Sequence, residues 1–481
     1  MTPRNILDQE ILCLSTLDRV KFAQTLQGGT LITGGLGAGK STTSGRAFCH
    51  AFLRAGLGGF FTCVKSEDAE TYISYAKECG REKDLIIFSE KSGLTFDPLA
   101  YMWSMPGRGG GDAENIIDYF STLLSIGKQH VGVNNDRFWE LASEKLMRVA
   151  IHLIKLSKTP LSIVNIHRVI ESLPTIPGEY ESEQWQNESY CASLINAIRV
   201  RKDELTQEEW SDLDVATHFA FKVWPTYDEK PRSSIAMTFT GMSDKFLYNP
   251  LKRLFASGTF DFTPEQTTHE RKIVIVDFPV LEYGRETARL IQILVKLTFQ
   301  RAWLRHKFTP GCCNGAFLIM DEFQMLIHKQ ENHFVQVCRS SGIAVVCMTQ
   351  TILNLAEELG ESQPGSKTKA FLNNLAIKIA HNSTCPDTCN YMADVIGKEY
   401  RYVENYSSGG AQQQSTTSVG GSLQLVHILE SIEFTRLMTP DSDNPCAEAI
   451  VYMSGKTFNA TRTAKDPKGK NYLRVLFSRE S

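Results

Sequence analysis

A glycine-rich stretch near the start of the chain constrains the possible fold more than any other feature of the sequence. Residues 34–42 read Gly-Gly-Leu-Gly-Ala-Gly-Lys-Ser-Thr, which fits the phosphate-loop pattern G-x4-G-K-[S/T] in full. The apolar run 30–33 predicts a strand before the loop, and residues 41–55 predict a helix after it, whose dipole points at a bound anion. Glycines let successive N–H groups turn toward a polyphosphate. The pattern therefore predicts a site for a nucleoside triphosphate.

The residues of this loop have predicted roles in holding ATP and Mg²⁺. Lys40 is expected to reach the β- and γ-phosphates, and the hydroxyl of Ser41 is expected to ligate Mg²⁺. The predicted nucleotide-binding residues are Gly34, Gly35, Leu36, Gly37, Ala38, Gly39, Lys40, Ser41 and Thr42.

Length and charge limit the kinds of protein that this chain can be. Its 481 residues are enough for two or three domains, and a hydrophobic content of 42% is ordinary for a globular protein. The net charge of −3 argues against a protein that coats nucleic acid over its whole surface, but it permits a basic channel lining. The longest apolar runs, 273–276 and 316–320, are too short to cross a bilayer, and no signal-peptide pattern opens the chain. We therefore expect a cytoplasmic protein without direct membrane insertion.

The order of predicted strands and helices indicates an α/β fold. A mostly parallel, twisted sheet flanked by helices is predicted because strands alternate with helices. In the middle of the chain, helical spacing without strand alternation predicts an inserted all-α domain. We expect a nucleotide-binding domain in two parts, residues 1–100 and 261–481, with the all-α domain at 101–260. The predicted strands around the insertion are 59–64, 84–88, 272–279, 316–322, 343–350 and 376–380.

Three further segments carry expectations about local structure. Apolar residues at helical spacing in 1–27 predict a helix. The Ser-, Gly- and Gln-rich residues 407–421 predict a mobile, low-complexity loop. Residues 423–429 and 447–452 predict two late strands.

Two adjacent carboxylates follow the predicted strand 316–320. In phosphate-loop ATPases the first acid at such a strand end helps to hold Mg²⁺, and the second polarises the water that attacks the γ-phosphate. We therefore predict Asp321 as a metal-site residue together with Ser41, and Glu322 as a catalytic residue. Asp277 also ends an apolar strand and competes for the role next to the metal, but no second acid follows it.

Gln350 and Arg339 are further catalytic candidates. Gln350 ends the strand 343–350, and the carboxyl ends of neighbouring parallel strands meet at the ligand crevice. Its amide can therefore sense the γ-phosphate or orient the attacking water, although a satisfied polar strand end explains it equally well. Arg339 precedes the same strand. Its guanidinium can act in trans across a subunit interface, whereas a solvated arginine is the more common situation.

The sequence contains no recognised nucleic-acid-binding motif. Several positive charges lie along one predicted helix of the all-α domain, and a solvated helix face explains them as well as DNA contact does. These residues are Arg137, Lys145, Arg148, Lys155 and Lys158.

Taken together, the order of these parts resembles the coupling-protein ATPases of type IV secretion and conjugative DNA transfer, which belong with the hexameric DNA-pumping ATPases. The resemblance extends from about Thr30 to Tyr452. Its features, in chain order, are the phosphate loop 34–42, Phe96-Asp97-Pro98-Leu99, Phe138-Trp139 at the start of a long helix, the strand 273–279, Phe317-Leu318-Ile319-Met320-Asp321-Glu322-Phe323, Arg339-Ser-Ser-Gly342 and Thr349-Gln350.

The resemblance implies a RecA-like nucleotide-binding fold, a homo-hexameric ring and DNA that passes through its channel. It also implies that Gln350 contacts the γ-phosphate, that Arg339 is a finger acting in trans, and that the all-α domain lies where the substrate enters. Relaxase or secretion-channel proteins are the implied protein partners. Membrane-bound members carry transmembrane helices before the nucleotide-binding domain, whereas this loop begins at residue 34. Either the chain is a soluble member, or an anchored partner recruits it to the inner membrane.

The leading hypothesis is an Mg-ATP-dependent motor that forms a ring and moves or delivers DNA in a conjugation system. One alternative is a recruitment receptor that uses its nucleotide state to present DNA-bound proteins to another machine without pumping. A second alternative is a related ATPase that acts with a nuclease in DNA repair or phage defence.

Overall fold

The computed structural model describes residues 6–106, 109–126, 136–310, 314–411 and 414–479, with the backbone alone at 136–137 and 405–420. The strands are β1 (Glu10–Cys13), β2 (Arg19–Lys21), β3 (Gly29–Thr33), β4 (Gly58–Cys63), β5 (Leu85–Phe88), β6 (Ile273–Asp277), β7 (Ala316–Met320), β8 (Ile343–Thr349), β9 (Ile377–Ala380), β10 (Lys398–Ala411), β11 (Gln414–His427), β12 (Cys446–Met453) and β13 (Tyr472–Ser478). The α-helices are α1 (Phe22–Thr25), α2 (Arg46–Arg54), α3 (Asp68–Glu78), α4 (Pro98–Ser104), α5 (Ala113–Leu124), α6 (Asp136–Leu156), α7 (Ile163–Glu171), α8 (Glu183–Glu188), α9 (Tyr190–Val200), α10 (Gln207–His218), α11 (Glu229–Ser243), α12 (Leu251–Phe255), α13 (Glu265–His269), α14 (Val280–Tyr283), α15 (Arg285–Arg305), α16 (Glu331–Val337), α17 (Ile352–Glu358), α18 (Ser366–Asn373) and α19 (Pro386–Ile396).

One large sheet organises the nucleotide-binding part of the chain. Its nine strands lie in the order β13-β12-β9-β3-β8-β7-β4-β6-β5. The seven strands from β9 to β5 are parallel, and β12 and β13 add an antiparallel edge. Every residue of the central strands β3, β7 and β8 is buried, as expected where helices cover both faces of a parallel sheet. The predicted α/β fold with a mostly parallel sheet is confirmed.

Alternate residues of the central strands supply two separate cores. Leu31, Phe60 and Val345 point to the face that α15 and the inserted helices cover. Their neighbours Ile32 and Phe61 point to the opposite face, where α2 and α3 pack. This alternation follows from the two-residue period of a strand, and it fixes the register of the sheet because a shift by one residue would exchange the cores.

The inserted helices begin and end at one point beside the sheet. Asp97 caps α4, since its Oδ1 accepts hydrogen bonds from the backbone N–H groups of Leu99 and Ala100 at 2.9 and 3.2 Å. Its Oδ2 accepts a bond from the N–H of Gly258 at 3.0 Å, where the chain returns. Burial raises the pKa of Asp97 to about 6, although the three N–H donors oppose this shift. One carboxylate therefore joins both ends of the all-α insertion, whose predicted limits 101–260 remain a prediction.

Three local predictions differ from the structure. The predicted helix at 1–27 is wrong, because within the described residues 6–27 the strands β1 and β2 form an antiparallel hairpin, and the four-residue α1 is the one α-helix. Within the predicted loop 407–421, the described backbone at 407–411 and 414–421 instead belongs to the hairpin of β10 and β11. No strand was predicted beyond residue 452, where β13 completes the sheet. Within the described part of the chain, no helix combines the length and the apolar character needed to span a membrane.

Candidate nucleotide-binding site

The phosphate loop follows β3 at the centre of the sheet and leads into a helical turn at Ser41–Gly45, which α2 continues. Gly37 and Gly39 adopt left-handed φ angles of 72° and 87°, which a residue with a Cβ rarely adopts. A Cβ at Gly39 would also lie 2.9 Å from Cγ of Pro440 and 3.0 Å from Cβ of Ala447. The loop is therefore packed closely against the start of β12 and the segment before it, and at Gly39 only glycine fits.

The two predicted acids lie beside this loop. β7 is separated from β3 only by β8, so Asp321 and Glu322 follow a strand end at the same edge of the sheet. The hydroxyl of Ser41 donates a hydrogen bond to Oδ2 of Asp321 at 2.9 Å. The ammonium of Lys40 lies 3.9 Å from Oε1 of Glu322, and all three charged side chains are less than 10% exposed. Ser41 and Asp321 thus offer converging oxygen atoms, which are the ligands that Mg²⁺ requires.

Glu322 is held in an unusual backbone conformation. Its φ of 48° is in the left-handed region, which costs a non-glycine residue on the order of 1–3 kcal/mol. Its N–H donates to Oδ1 of Asp321 at 3.0 Å. Its carboxylate accepts hydrogen bonds from the side-chain amide of Gln324 at 2.8 Å and from that of Gln350 at 3.2 Å. The two amides fix the orientation of the carboxylate, so Gln350 touches the predicted catalytic acid directly.

Lys65 is a charged residue of the site that the sequence analysis missed. It lies two residues after β4, and its ammonium contacts Oδ2 of Asp321 at 2.9 Å and Oε1 of Glu322 at 3.3 Å. Burial disfavours its charged form, but the carboxylates of Asp321 and Glu322 outweigh this effect and raise the pKa of Lys65. Since β4 is a neighbour of β7, the rule that identified Gln350 from its strand end also applies to Lys65.

A cavity of about 290 Å³ lies over the phosphate loop. Its lining includes residues 35–42, Lys65, Asp68, Asp321 and Arg479. Gly34, Glu322 and Gln350 lie outside the lining, although Glu322 contacts Lys40 and Lys65 at its edge. Arg479 directly follows β13, the strand without a sequence prediction, and it brings a guanidinium to the edge of the sheet that carries the loop.

His381 supports the loop from the side opposite the acids. A Cβ at Gly34 would lie 2.9 Å from Cβ of His381, so the two residues are in close contact. Burial lowers the pKa of His381 to about 4, which makes the ring neutral at neutral pH. Its Nδ1 lies 3.1 Å from the carbonyl oxygen of Glu448, so Nδ1 carries the ring proton and donates a hydrogen bond to this oxygen. Nε2 therefore accepts the hydrogen bond from Oγ of Ser44 at 2.7 Å, which fixes the start of α2.

Arg339 lies at the other end of β8 from the acids. It follows α16, is exposed, and precedes the first residue of β8, whereas Gln350 follows the last. The seven residues of β8 span about 20 Å at the usual rise of a strand. The structure therefore does not bring Arg339 to the phosphate loop of its own chain.

Of the five basic residues predicted along one helix, four lie in α6 and Lys158 lies two residues beyond its end. Arg148 donates to both carboxylate oxygens of Glu114 at 2.6 and 2.8 Å, and Lys145 lies 4.6 Å above the ring of Phe219. Lys158 contacts Glu204 at 3.5 Å, and Lys155 lies 6.0 Å from the ring of Trp103. The side chain of Arg137 is outside the described residues. These contacts favour a structural role for the charges of α6.

Comparison with known proteins identifies the architecture. Residues 316–440 match the family model TraG-D_C, described as the TraM recognition site of TraD and TraG. The bacterial conjugative coupling protein TrwBdeltaN70 matches at 13% identity and a TM-score of 0.59, over 98% of this chain and 91% of that one. The chain has the fold of a conjugative coupling protein. Plasmid coupling protein TrwB matches with a TM-score of 0.61 both in complex with the GTP analogue GDPNP and in complex with ADP and Mg²⁺. Each of these two structures is 13% identical in sequence to this chain, and each match covers 98% of it. The match covers 91% of the chain in the GDPNP complex and 90% of the chain in the ADP complex.

The predicted resemblance to the coupling-protein family is confirmed by these matches. No curated protein matches the sequence of the chain. The family model covers β7, both acids, Arg339, β8 and the β10–β11 hairpin, while the fold match extends over the inserted helices as well. The matches show the fold, and the roles of the site residues remain predictions.

A competition between Lys65 and a divalent cation is expected at Asp321. Lys65→Ala should lower the free energy of unfolding by about 1–2 kcal/mol, between the values for exposed and buried ion pairs, because Lys65 is about one-third exposed. MgCl₂ without nucleotide should then raise the melting temperature of the variant more than that of the wild type. Lys77→Ala, which removes an exposed lysine 3.5 Å from Glu82, is the control. An equal response to Mg²⁺ in all three proteins would contradict the competition.

Proposed function

We propose that the chain is an Mg-ATP-hydrolysing motor of the conjugative coupling-protein type, which assembles as a ring and moves or delivers DNA. The observation that carries this proposal is the hydrogen bond of 2.9 Å between Ser41 of the phosphate loop and Asp321 of the acid pair. It joins residues 280 positions apart in the arrangement that phosphate-loop ATPases require. Nucleotide-bound TrwB structures with the same fold support the choice of ligand.

The side chains of the site divide the chemistry between them. Lys40 binds the β- and γ-phosphates, and its positive charge stabilises the charge that develops on the transferring phosphoryl group. Glu322 accepts the proton of the attacking water, in an orientation that Gln324 and Gln350 maintain. Ser41 and Asp321 would hold Mg²⁺, which would offset the negative charge of the phosphates. The amide of Gln350 lies next to the carboxylate and is placed to sense the γ-phosphate.

Arg339 acts on the nucleotide of the neighbouring copy in this proposal. It lies at the edge of the sheet opposite its own phosphate loop, so it can reach a nucleotide only across an interface. Subunits that meet head to tail around a closed rotation place one edge of the sheet against the opposite edge of the next copy. This geometry supports a ring, and the coupling-protein family resemblance supports six members.

The proposed function is tested by measuring ATP hydrolysis with and without single- and double-stranded DNA, together with the mass of the assembled particle. A motor is expected to hydrolyse ATP faster with DNA and to displace a bound strand in one direction. A monomer in the presence of ATP and DNA, with a rate independent of DNA, would contradict the motor.

The role of Arg339 predicts complementation between two inactive variants. Arg339→Ala and Glu322→Gln should each abolish most ATP turnover, because a trans-acting arginine contributes about 10³- to 10⁵-fold and a general base about 10²- to 10⁴-fold. In a mixture, some interfaces combine an intact Glu322 with an intact Arg339, so turnover should partly return. Arg474→Ala, which removes an exposed arginine paired with Glu433, should remain active alone. A mixture as inactive as its components would count against action in trans.

A recruitment receptor is the second candidate function. It is favoured by one observation, the match of residues 316–440 to a family described as a TraM recognition site. A receptor is expected to bind a protein of the TraM type only in one nucleotide state, without stimulation of ATP hydrolysis by DNA. Binding that is independent of nucleotide, or DNA-stimulated hydrolysis, would favour the motor.

A further inference from the structure

Lys378 is a buried lysine that the proposed reaction does not use. It lies in β9, next to β3, and only 4% of its surface is exposed. Its ammonium donates a hydrogen bond to the backbone carbonyl of Leu375 and lies 5.9 Å from the ring of Tyr452. Burial lowers its pKa to about 8, with no carboxylate of the described residues to oppose the shift. Lys378 is therefore still largely charged at neutral pH, without an acidic partner.

The charge faces a polar groove at the edge of the sheet opposite the phosphate loop. The groove has a volume of about 780 Å³ and is bordered by residues of α16, α18 and α19. None of the described residues that line it is acidic. Two cations and several side-chain amides line it instead, namely Lys378, Arg339, Gln27, Gln336, Asn373 and Asn374.

Such a lining is complementary to an oxyanion. A buried ammonium without a counter-ion is unfavourable, because the lost hydration is not replaced by an opposite charge. A phosphate group would supply that charge, and its oxygens would accept hydrogen bonds from the surrounding amides and from the guanidinium of Arg339. We propose that this groove binds the phosphate groups of a nucleotide, with Lys378 as the buried cation at its base.

The position of the groove indicates where the nucleotide comes from. Gly28, directly before β3, lines the groove, and Gly35, just after β3, lines the cavity of the phosphate loop. A head-to-tail contact between copies would bring the groove of one copy to the nucleotide of the next. This inference rests on the proposed function and adds Lys378 to the residues that act across the interface. A free nucleotide is the other source of the same chemistry.

The test measures binding of tripolyphosphate by calorimetry in chains that carry Lys40→Ala, which weakens the phosphate-loop site. Adding Lys378→Met should lower the remaining affinity by about 30-fold or more, as expected when one partner of a buried charge pair is removed. Gln336→Glu places a carboxylate at the exposed rim of the groove and should have the same effect in a chain whose core is unchanged. This second variant keeps the test decisive if Lys378→Met does not fold.

Lys456→Met is the matched control. Lys456 also donates to one backbone carbonyl, that of Arg19 at 3.2 Å, and lies 5.7 Å from an aromatic ring, that of Phe458. Phe458 belongs to the core on the α2 face of the sheet, away from the groove. The control should bind tripolyphosphate as its parent does. Equal affinity in the Gln336→Glu chain and its parent, or displacement by single-stranded DNA at lower concentrations than by ATP, would overturn the nucleotide assignment.

A mixing experiment separates the two sources of the nucleotide. If the groove receives the nucleotide of a neighbour, Lys378→Met alone should lose most ATP turnover. Lys378→Met chains mixed with Glu322→Gln chains should then regain part of it. Loss of tripolyphosphate binding without regained turnover would instead assign the groove to free nucleotide. Because the binding measurement needs no hydrolysis, its result stands apart from failure of the proposed motor.

Discussion

Glu322→Gln is expected to leave ATP bound and to slow its hydrolysis by about 10²- to 10⁴-fold, the usual contribution of a general base. Glutamine keeps the size of the side chain and can still contact Gln324, but it cannot accept a proton from water at neutral pH. Lys40 and Ser41 are untouched, so the dissociation constant for ATP should change little. The measurement is single-turnover hydrolysis at saturating ATP beside direct binding of a labelled nucleotide.

Asp277→Asn is the matched control for this experiment. Asp277 ends β6, two strands from β7, and it does not line the cavity over the phosphate loop. Burial raises the pKa of its carboxyl, so the residue resembles a catalytic acid in its electrostatics but not in its position. Its variant should hydrolyse ATP at the wild-type rate. If Asp277→Asn slowed ATP hydrolysis and Glu322→Gln did not, the catalytic acid would lie at the end of β6 and not after β7.

The position of the acid pair could be predicted because the loop and the strand before the acids are each recognisable within a short stretch of sequence. The glycine pattern defines the loop, and a fully buried strand reads as a continuous apolar run, as Phe317–Met320 does. In a parallel sheet all such strands end at one edge, so residues far apart in sequence meet there without a specific motif. The same argument places Gln350 next to Glu322.

Two secondary-structure errors have different origins. β1 and β2 contain four and three residues, which is too short to show the two-residue period of a strand. Their apolar residues, together with those of the turn between them, imitate the three- and four-residue spacing of a helix. β13, in contrast, carries Leu473, Val475 and Phe477 buried at every second position, so its pattern could have been detected.

The contacts that support the phosphate loop could not be predicted from the sequence. His381 reaches Ser44 across 337 positions, and its neutral state depends on burial, which is a property of the folded chain. Arg479 depends on the placement of β13 at the edge of the sheet. The surroundings of Lys378 could not be predicted either. A lysine within an apolar strand indicates neither the groove that it faces nor the absence of acids among the described residues that line this groove.

Lys40→Ala is expected to weaken the binding of both ATP and ADP at the phosphate-loop site strongly. Lys40 is 7% exposed, and loss of one partner of a buried charge pair costs about 2–5 kcal/mol, which corresponds to an affinity lower by about 30- to 4,000-fold. The chain should still fold, because Lys65 continues to compensate Glu322 at 3.3 Å. Fluorescent-nucleotide titration gives the affinity, and a thermal melt reports the fold.

Lys40→Ala and Glu322→Gln together distinguish the residue that binds the nucleotide, Lys40, from the residue that promotes its hydrolysis, Glu322. Lys40→Ala should raise the dissociation constant of both nucleotides, whereas Glu322→Gln should lower only the rate of hydrolysis. Lys77→Ala, the exposed lysine of α3, should change neither quantity. If Lys40→Ala bound ATP as tightly as the wild type, the glycine-rich loop would not be the nucleotide site, and the contact between Ser41 and Asp321 would have only a structural role.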